Sequence, residues 1–331
     1  MASNLYIHFP FCRSRCSYCT LYSRARSSSQ RRADHVAGLV REIEHADALA
    51  ANGLSTVYFG GGTPALCDLG PLFEALRPRL APDAEFTAEL HPLDVTPELL
   101  AALESGGVNR ISMGVQSLDD DILAHMKRGY GFYEAERAFA LVKERFDNAG
   151  IDLIVGYPGE TAALTPRHAR LAKWGLRHCS VYSLQNERGL KGAVDDETVM
   201  NRIAITAKFL ADIGLERYEI SNYAVPGFEC RHNLAVWRGE DYLGLGEGAH
   251  GRLGLLRTPS GEELSPEEDL KERTIFRLRT REGLDTRKFP EWRDTLDRFT
   301  AEGLLIKADG PVYKLTERGT EVCDSILSEI V

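Results

Sequence analysis

Short runs of β-branched and aromatic residues alternate with longer stretches of helical period as far as Ser183, the pattern of a parallel sheet wrapped by crossover helices. Six strands are predicted, at residues 5–8, 56–59, 85–90, 110–114, 151–155 and 179–183. Helices are predicted near 32–51, 69–80, 96–105, 119–126, 132–146 and 164–174. This order gives an α/β fold of barrel type, in which chemistry collects at the C-terminal ends of the strands. The residues there fit that rule. Cysteines follow the first strand, Gly60-Gly61-Gly62-Thr63-Pro64 the second, Gln116 the fourth and Gly156-Tyr157-Pro158-Gly159 the fifth. Within the fifth strand Asp152 interrupts an apolar run, and a carboxylate so placed needs a partner or a ligand.

Beyond this body, a Gly-rich segment at 241–254 is expected to separate it from a charged, helix-rich tail. The tail is predicted to hold a helix near 286–302, a hairpin of 304–307 and 312–315 around Asp309-Gly310, and a helix near 316–330. That order resembles a small α+β winged-helix unit. The expected organisation is therefore a core over 1–190, an extension over 191–255 and a C-terminal domain over 256–331.

Charge narrows the partners: 49 acidic against 40 basic side chains leave a formal charge of -9, with no overall footprint for nucleic acid or an anionic membrane. No apolar stretch approaches the roughly 18 residues a membrane span needs. The run at 5–11 is too short for a secretory signal. Seven cysteines without an export signal argue for thiol or metal chemistry in a reducing compartment, so a cytoplasmic location is expected.

Cys12-Phe-Arg-Ser-Arg-Cys16-Ser-Tyr-Cys19 sets three thiolates close enough to converge on one inorganic centre. Three ligands for four irons leave one iron open, able to chelate the amino and carboxylate groups of a small molecule. The competing reading is a structural zinc with a fourth ligand such as His8, although zinc sites usually pair their cysteines as two separated couples. The glycines at 60–62 lack Cβ atoms, so a ligand can approach their backbone.

This cysteine spacing is the signature of the radical S-adenosylmethionine (SAM) superfamily. Leu5-Tyr-Ile-His-Phe-Pro-Phe-Cys12, the Gly-Gly-Gly-Thr-Pro run, Arg110-Ile-Ser-Met-Gly-Val-Gln-Ser117 and Ile151-Asp-Leu-Ile-Val-Gly-Tyr-Pro-Gly159 resemble the oxygen-independent coproporphyrinogen III oxidase family. The segments Tyr218-Glu-Ile-Ser-Asn-Tyr-Ala-Val-Pro-Gly-Phe-Glu-Cys-Arg-His-Asn233 and Trp237-Arg-Gly-Glu-Asp-Tyr-Leu-Gly-Leu-Gly246 resemble its HemW-type heme chaperones. The resemblance implies a partial (β/α)6 TIM-like barrel carrying a [4Fe-4S] cluster on Cys12, Cys16 and Cys19, with SAM as its partner. It implies that Tyr6 and His8 line the cluster pocket, that Tyr18 lies near the adenine and that Gly61, Gly62 and Thr63 hold the methionyl end. Glu89, Gln116, Arg128 and Asp152 would bind the rest of the cofactor.

By the same resemblance, His232-Asn233-Leu-Ala-Val-Trp237 corresponds to a heme-associated His-Asn-x-x-Tyr-Trp motif, with His232 as an axial ligand and Val236 in place of the tyrosine. Cys67, Cys179, Cys230 and Cys323 receive no role. Two functions follow as expectations. The first is a chaperone that binds heme and delivers it to an acceptor protein. The second is an enzyme that cleaves SAM to a 5′-deoxyadenosyl radical and acts on a porphyrinogen or a similar substrate, or a related methyltransferase. The decarboxylating oxidases carry a further cysteine where Leu21 stands here, and an N-terminal extension where only eleven residues precede Cys12, which sets that activity second. Thr20-Leu21 in place of the chaperones' usual Asp-Phe marks a divergent member.

Overall fold

All six predicted strands form in the computed structural model, which describes residues 1–49, 53–160, 164–185, 188–192, 194–308 and 310–330. β1 (Asn4–Phe9) is followed by two short strands, β2 (Phe11–Cys12) and β3 (Arg24–Ala25), which pair in parallel and close the base of the cysteine loop. The other five predicted strands are β4 (Leu54–Gly61), β5 (Leu80–Leu90), β6 (Arg110–Gln116), β7 (Ala149–Val155) and β8 (His178–Ser183). Then come β9 (Glu216–Arg217), β10 (Asn222–Ala224), β11 (Tyr242–Leu245), β12 (Gly251–Leu253) and β13 (Leu256–Thr258). These eleven named strands, without β2 and β3, make one sheet of order β13-β12-β11-β1-β4-β5-β6-β7-β8-β10-β9, parallel from β11 to β8.

One expectation is corrected here. The segment at 241–254 is not a separator, because β11 pairs in parallel with β1, Asn4 opposite Tyr242 and Ile7 opposite Leu245. Gly244 serves close strand packing rather than a flexible link: a Cβ there would fall 2.0 Å from the His250 carbonyl oxygen.

Period-2 alternation divides each central strand between two environments. On β6, Ile111, Met113 and Val115 pack into the core under the helices, while Arg110, Ser112, Gly114 and Gln116 line a cavity on the other face. On β8, Cys179 and Val181 are core residues, and His178, Ser180 and Tyr182 line the cavity. Closed (β/α)8 barrels fill this interior with branched apolar side chains. Here it is an open chamber of about 1880 Å³ whose wall mixes polar and apolar side chains.

The helices are built by local capping. Ser28 caps the helix Ser29–Glu44 by accepting from the Arg31 amide, and Asp195 caps Asp196–Asp212 in the same way through Thr198. The predicted helix at 164–174 shrinks to His168–Leu171. No described helix is long and apolar enough to cross a membrane.

In the tail, β14 (Leu284–Asp285), β15 (Leu305–Lys307) and β16 (Val312–Leu315) form a second sheet of order β14-β16-β15 around a core that includes Leu278, Phe299, Tyr313 and Ile326. The predicted helix at 286–302 begins only at Arg293, after a 3-10 turn at Pro290–Trp292, because proline has no amide to donate inside a helix. The last helix breaks at Val322 into Glu317–Glu321 and Cys323–Ser328. Asp309 of the predicted turn and the final two positions of the helix predicted at 32–51 lie outside the described residues. Ile306, Lys314 and Cys323 of this tail also line the chamber.

Candidate cluster and cofactor site

The cysteine loop leaves the C-terminal end of β1 and is pinned at several points. Gly62 and Thr63 donate their amides to the Phe9 and Phe11 carbonyls at 2.8 and 2.7 Å. Ser17 bonds the His125 carbonyl at 3.0 Å and the Tyr157 hydroxyl at 2.8 Å. Glu247 accepts from both Tyr22 and Arg24. The loop thus presents Cys12, Cys16 and Cys19 as free, half-buried thiols on the chamber wall. Burial raises the Cys12 thiol first, and the neighbouring Cys19 and Cys16 raise it further, so the three sulfurs lie within electrostatic reach of one another. That set suits a centre that binds thiolates, since iron removes the protons that mutual repulsion otherwise retains.

Arg128 stands beside this group. Its Nη1 is 3.4 Å from both Cys16 Sγ and Tyr18 Oη, its Nη2 donates to the Gly114 carbonyl at 2.6 Å, and its Nε donates to Tyr130 Oη at 3.1 Å. Gln116 has a left-handed backbone, φ 71, where the β6–β7 register shifts. A non-glycine residue held there at a cavity mouth marks a position whose side-chain aim is fixed by its surroundings.

Deeper in, Glu89 accepts from Tyr58 Oη at 2.8 Å and the Gly61 amide at 3.1 Å, and Asp152 accepts from Ser112 Oγ at 3.1 Å. Burial raises both carboxyls, Glu89 to about 7 with Asp152 adding to the effect. Because Glu89 binds its proton more tightly folded than unfolded, this contribution to stability is complete below its ordinary 4.5 and is lost as pH rises through about 7. Glu89→Gln is therefore expected to flatten the stability profile between pH 5 and 8. At pH 8 it should gain on the order of 2 kcal/mol over the parent protein, after allowing for hydration of the chamber wall. Urea unfolding of the apo protein at several pH values measures it; parallel profiles for the two proteins would remove Glu89 as the cause.

Of the predicted site residues, Tyr18, Gly61, Gly62, Thr63, Glu89, Gln116, Arg128, Asp152 and the three cysteines line one chamber. Tyr6 and His8 do not line it. Tyr6 Oη meets His8 Nδ1 at 2.9 Å, and His8 Nε2 meets the Tyr22 carbonyl at 2.9 Å, so this pair braces the loop from behind. With both its ring nitrogens engaged, His8 is not free to act as the fourth ligand of the zinc reading. Among the described residues no three His, Cys, Asp or Glu side chains converge on a single metal ion.

His232 is also placed differently from the expectation of an axial ligand presented to heme. It is buried within the helix Arg231–Trp237, its Nδ1 meets Thr56 Oγ1 at 2.8 Å, and its ring packs 5.3 Å from that of Tyr58. It does not line the chamber, whereas Asn233 beside it does. The reason is the helix start, where Glu85 accepts the Arg231 and His232 amides at 3.0 and 3.1 Å and draws this turn under the sheet.

Sequence reasoning passed over Tyr58, Arg110, Ser112, His178 and Ser180, all on the chamber wall. A signal was available. Polar residues at every second position of a parallel strand, such as Arg110-x-Ser112 and His178-x-Ser180, contradict the continuous apolar run of a strand buried on both faces.

Residues 6–172 match the radical SAM superfamily. The chain is 32% identical to the heme chaperone HemW of Mycobacterium tuberculosis strain H37Rv, over 99% of this chain and 94% of that protein. It is 32% identical to HemW of Escherichia coli K12, covering 98% and 97%, and 30% identical to that of Bacillus subtilis 168, covering 98% and 99%. Among solved structures, the coproporphyrinogen III oxidase HemN of Escherichia coli superposes with a TM-score of 0.80 at 21% identity, over 99% of this chain and 89% of that one, which establishes the shared fold. The cysteine loop, the chamber it opens onto and this end-to-end similarity agree: the chain belongs to the radical SAM superfamily and, within it, to the family of the HemW heme chaperones.

Proposed function

We propose that this chain is a cytoplasmic heme chaperone, which binds one heme and passes it to an acceptor protein. The observation that carries the reading is the similarity over nearly the whole length to proteins named heme chaperones in three unrelated bacteria. Superfamily membership implies a [4Fe-4S] cluster and SAM. We assign the cluster to Cys12, Cys16 and Cys19, and SAM to Tyr18, Gly61, Gly62, Thr63, Glu89, Gln116, Arg128 and Asp152. When bound, the cluster supplies an electron-transfer centre with one iron open to SAM. Arg128 is set to pair a carboxylate held beside Cys16, and Glu89 and Asp152 offer acceptors to ribose hydroxyls or a sulfonium charge. The division into 1–190, 191–255 and 256–331 is kept as a functional one.

The size of the chamber supports a second large ligand. About 1880 Å³ exceeds the roughly 300–1,000 Å³ of a site for one small molecule. Its lining also includes the exposed apolar side chains of Leu21, Leu93, Ile306 and Val322, a surface suited to the flat apolar body of a porphyrin.

Hemin titrated into anaerobically reconstituted protein is expected to saturate at one equivalent by its Soret band. Linear, unsaturable uptake would defeat the proposal. His232→Ala is expected to retain that stoichiometry, because the imidazole is sequestered as described; loss of the site in a variant with an unchanged circular dichroism spectrum would instead assign iron ligation to His232 after movement of its helix.

A further inference from the structure

The floor of the chamber carries a buried cation with an N–H that the fold leaves unpaired. Arg110 begins β6 with 1% of its surface exposed. Its Nη1 reaches Thr87 Oγ1 at 3.5 Å, its Nε has no partner, and among the described residues it makes no ion pair. Desolvation disfavours its charge and the nearby Glu85 carboxylate favours it, yet its Nε–H stays unsatisfied. The carboxylates around it lie within electrostatic reach but form no ion pair with it among the described residues, and each accepts hydrogen bonds from other groups. Glu85 accepts from the Arg231 and His232 amides, Glu89 from Tyr58 and Gly61, and Asp152 from Ser112.

A second orphan donor lines the same chamber. His178 is 1% exposed, and its Nε2 lies 2.8 Å from Tyr218 Oη, which itself accepts the Cys230 amide at 3.3 Å. The hydroxyl proton of Tyr218 then has His178 Nε2 as its acceptor, which leaves the imidazole proton on Nδ1. Nδ1 has no partner. Burial and the nearby Arg110 charge lower the affinity of His178 for a second proton, so the ring is a neutral donor.

We propose that Arg110 and His178 form a carboxylate-binding subsite at the floor of the chamber and that it takes one propionate of the bound heme, an inference that rests on the heme reading above. The orphaned Nε–H of a cation and the orphaned Nδ1–H of a neutral ring, both desolvated, match the two oxygens of a carboxylate. A SAM carboxylate is a poor candidate. Arg110 and Gln116 stand at opposite ends of β6, roughly 20 Å apart at a strand's rise per residue, so a carboxylate held beside Cys16 and Arg128 is distant from the floor. A propionate extends from the rim of a large ring and can reach it.

The test compares hemin with its dimethyl ester on the reconstituted full chain and on Arg110→Gln. The parent protein is expected to bind hemin 10- to 100-fold more tightly than the ester. Arg110→Gln should lose that factor for hemin while its affinity for the ester stays within twofold, and SAM binding should not fall in parallel. Equal affinity of the parent for hemin and the ester overturns the subsite and leaves the heme reading standing. No saturable binding of either ligand overturns both. Equal weakening of hemin and ester in Arg110→Gln makes the residue structural, and a parallel loss of SAM affinity assigns it to SAM instead; either overturns the proposal. Should Arg110→Gln not fold, the parent protein still decides: formate is expected to compete with hemin and not with the ester, and absence of that difference counts against the subsite.

Discussion

Cys16→Ala protein, reconstituted anaerobically with iron and sulfide, is expected to carry less than a tenth of the parent's iron and sulfide and to lose the absorption shoulder near 400 nm. The proposed cluster is assigned three protein ligands in this loop, and all three line one chamber as free thiols. Removing the middle one leaves two, and it also strips Arg128 of a sulfur 3.4 Å away. Stability should hardly change: the loop is tethered by Ser17, Tyr22 and Arg24 rather than by Cys16, so the unfolding free energy of the apo variant from urea titration should stay within about 0.5 kcal/mol of the parent. Retention of stoichiometric iron would remove Cys16 from the ligand set. The same pair of proteins addresses the alternative activity, since 5′-deoxyadenosine made by the reduced parent with a porphyrinogen, and absent from the variant, would establish catalysis.

Gly61→Ala is expected to be the most damaging single substitution near the site, with a loss of about 3–5 kcal/mol and failure to retain the cluster on desalting. Two independent costs meet there. The backbone lies at φ 103, a conformation that L side chains rarely adopt. A Cβ would also fall 2.4 Å from His8 Cε1 and 2.5 Å from His8 Nδ1. His8 cannot yield freely, because Tyr6 holds one ring nitrogen and the Tyr22 carbonyl the other. Displacing it would pull at the end of the cysteine loop. Gly60→Ala provides the control: its nearest contacts are 3.0–3.2 Å away, two of them to tyrosine ring carbons, and it carries no positive φ, so about 1 kcal/mol is expected. Thermal melts and iron content of both variants measure the contrast, and similar melting temperatures would refute the His8 clash.

The glycine run was read from the sequence as room for a ligand. In the structure Gly61 and Gly62 first satisfy the protein's own packing, since a Cβ on Gly62 would sit 2.5 Å from the Phe11 carbonyl oxygen and 3.0 Å from Cys12 Sγ. Both descriptions hold for residues that line the chamber, but only coordinates identify the nearer neighbour. The placement of His232 depends on a tertiary contact in the same way. A motif aligned it with heme, yet a tertiary contact from Glu85, 147 positions earlier, anchors its helix under the sheet and turns the ring toward Thr56.

By itself the sequence determined the six central strands, their order of chemistry-bearing loops and the close spacing of three cysteines. These are local properties: hydrophobic period specifies strand or helix, and a spacing of three or four residues keeps thiols together wherever the loop goes. Tertiary structure alone decided that β11 joins β1 across the intervening chain, that Tyr6 and His8 bond each other and the Tyr22 carbonyl outside the chamber lining, and that Arg110 Nε and His178 Nδ1 are buried without acceptors. Those outcomes depend on pairings between segments far apart in sequence, where register sets which face each side chain occupies, and no local period encodes that register.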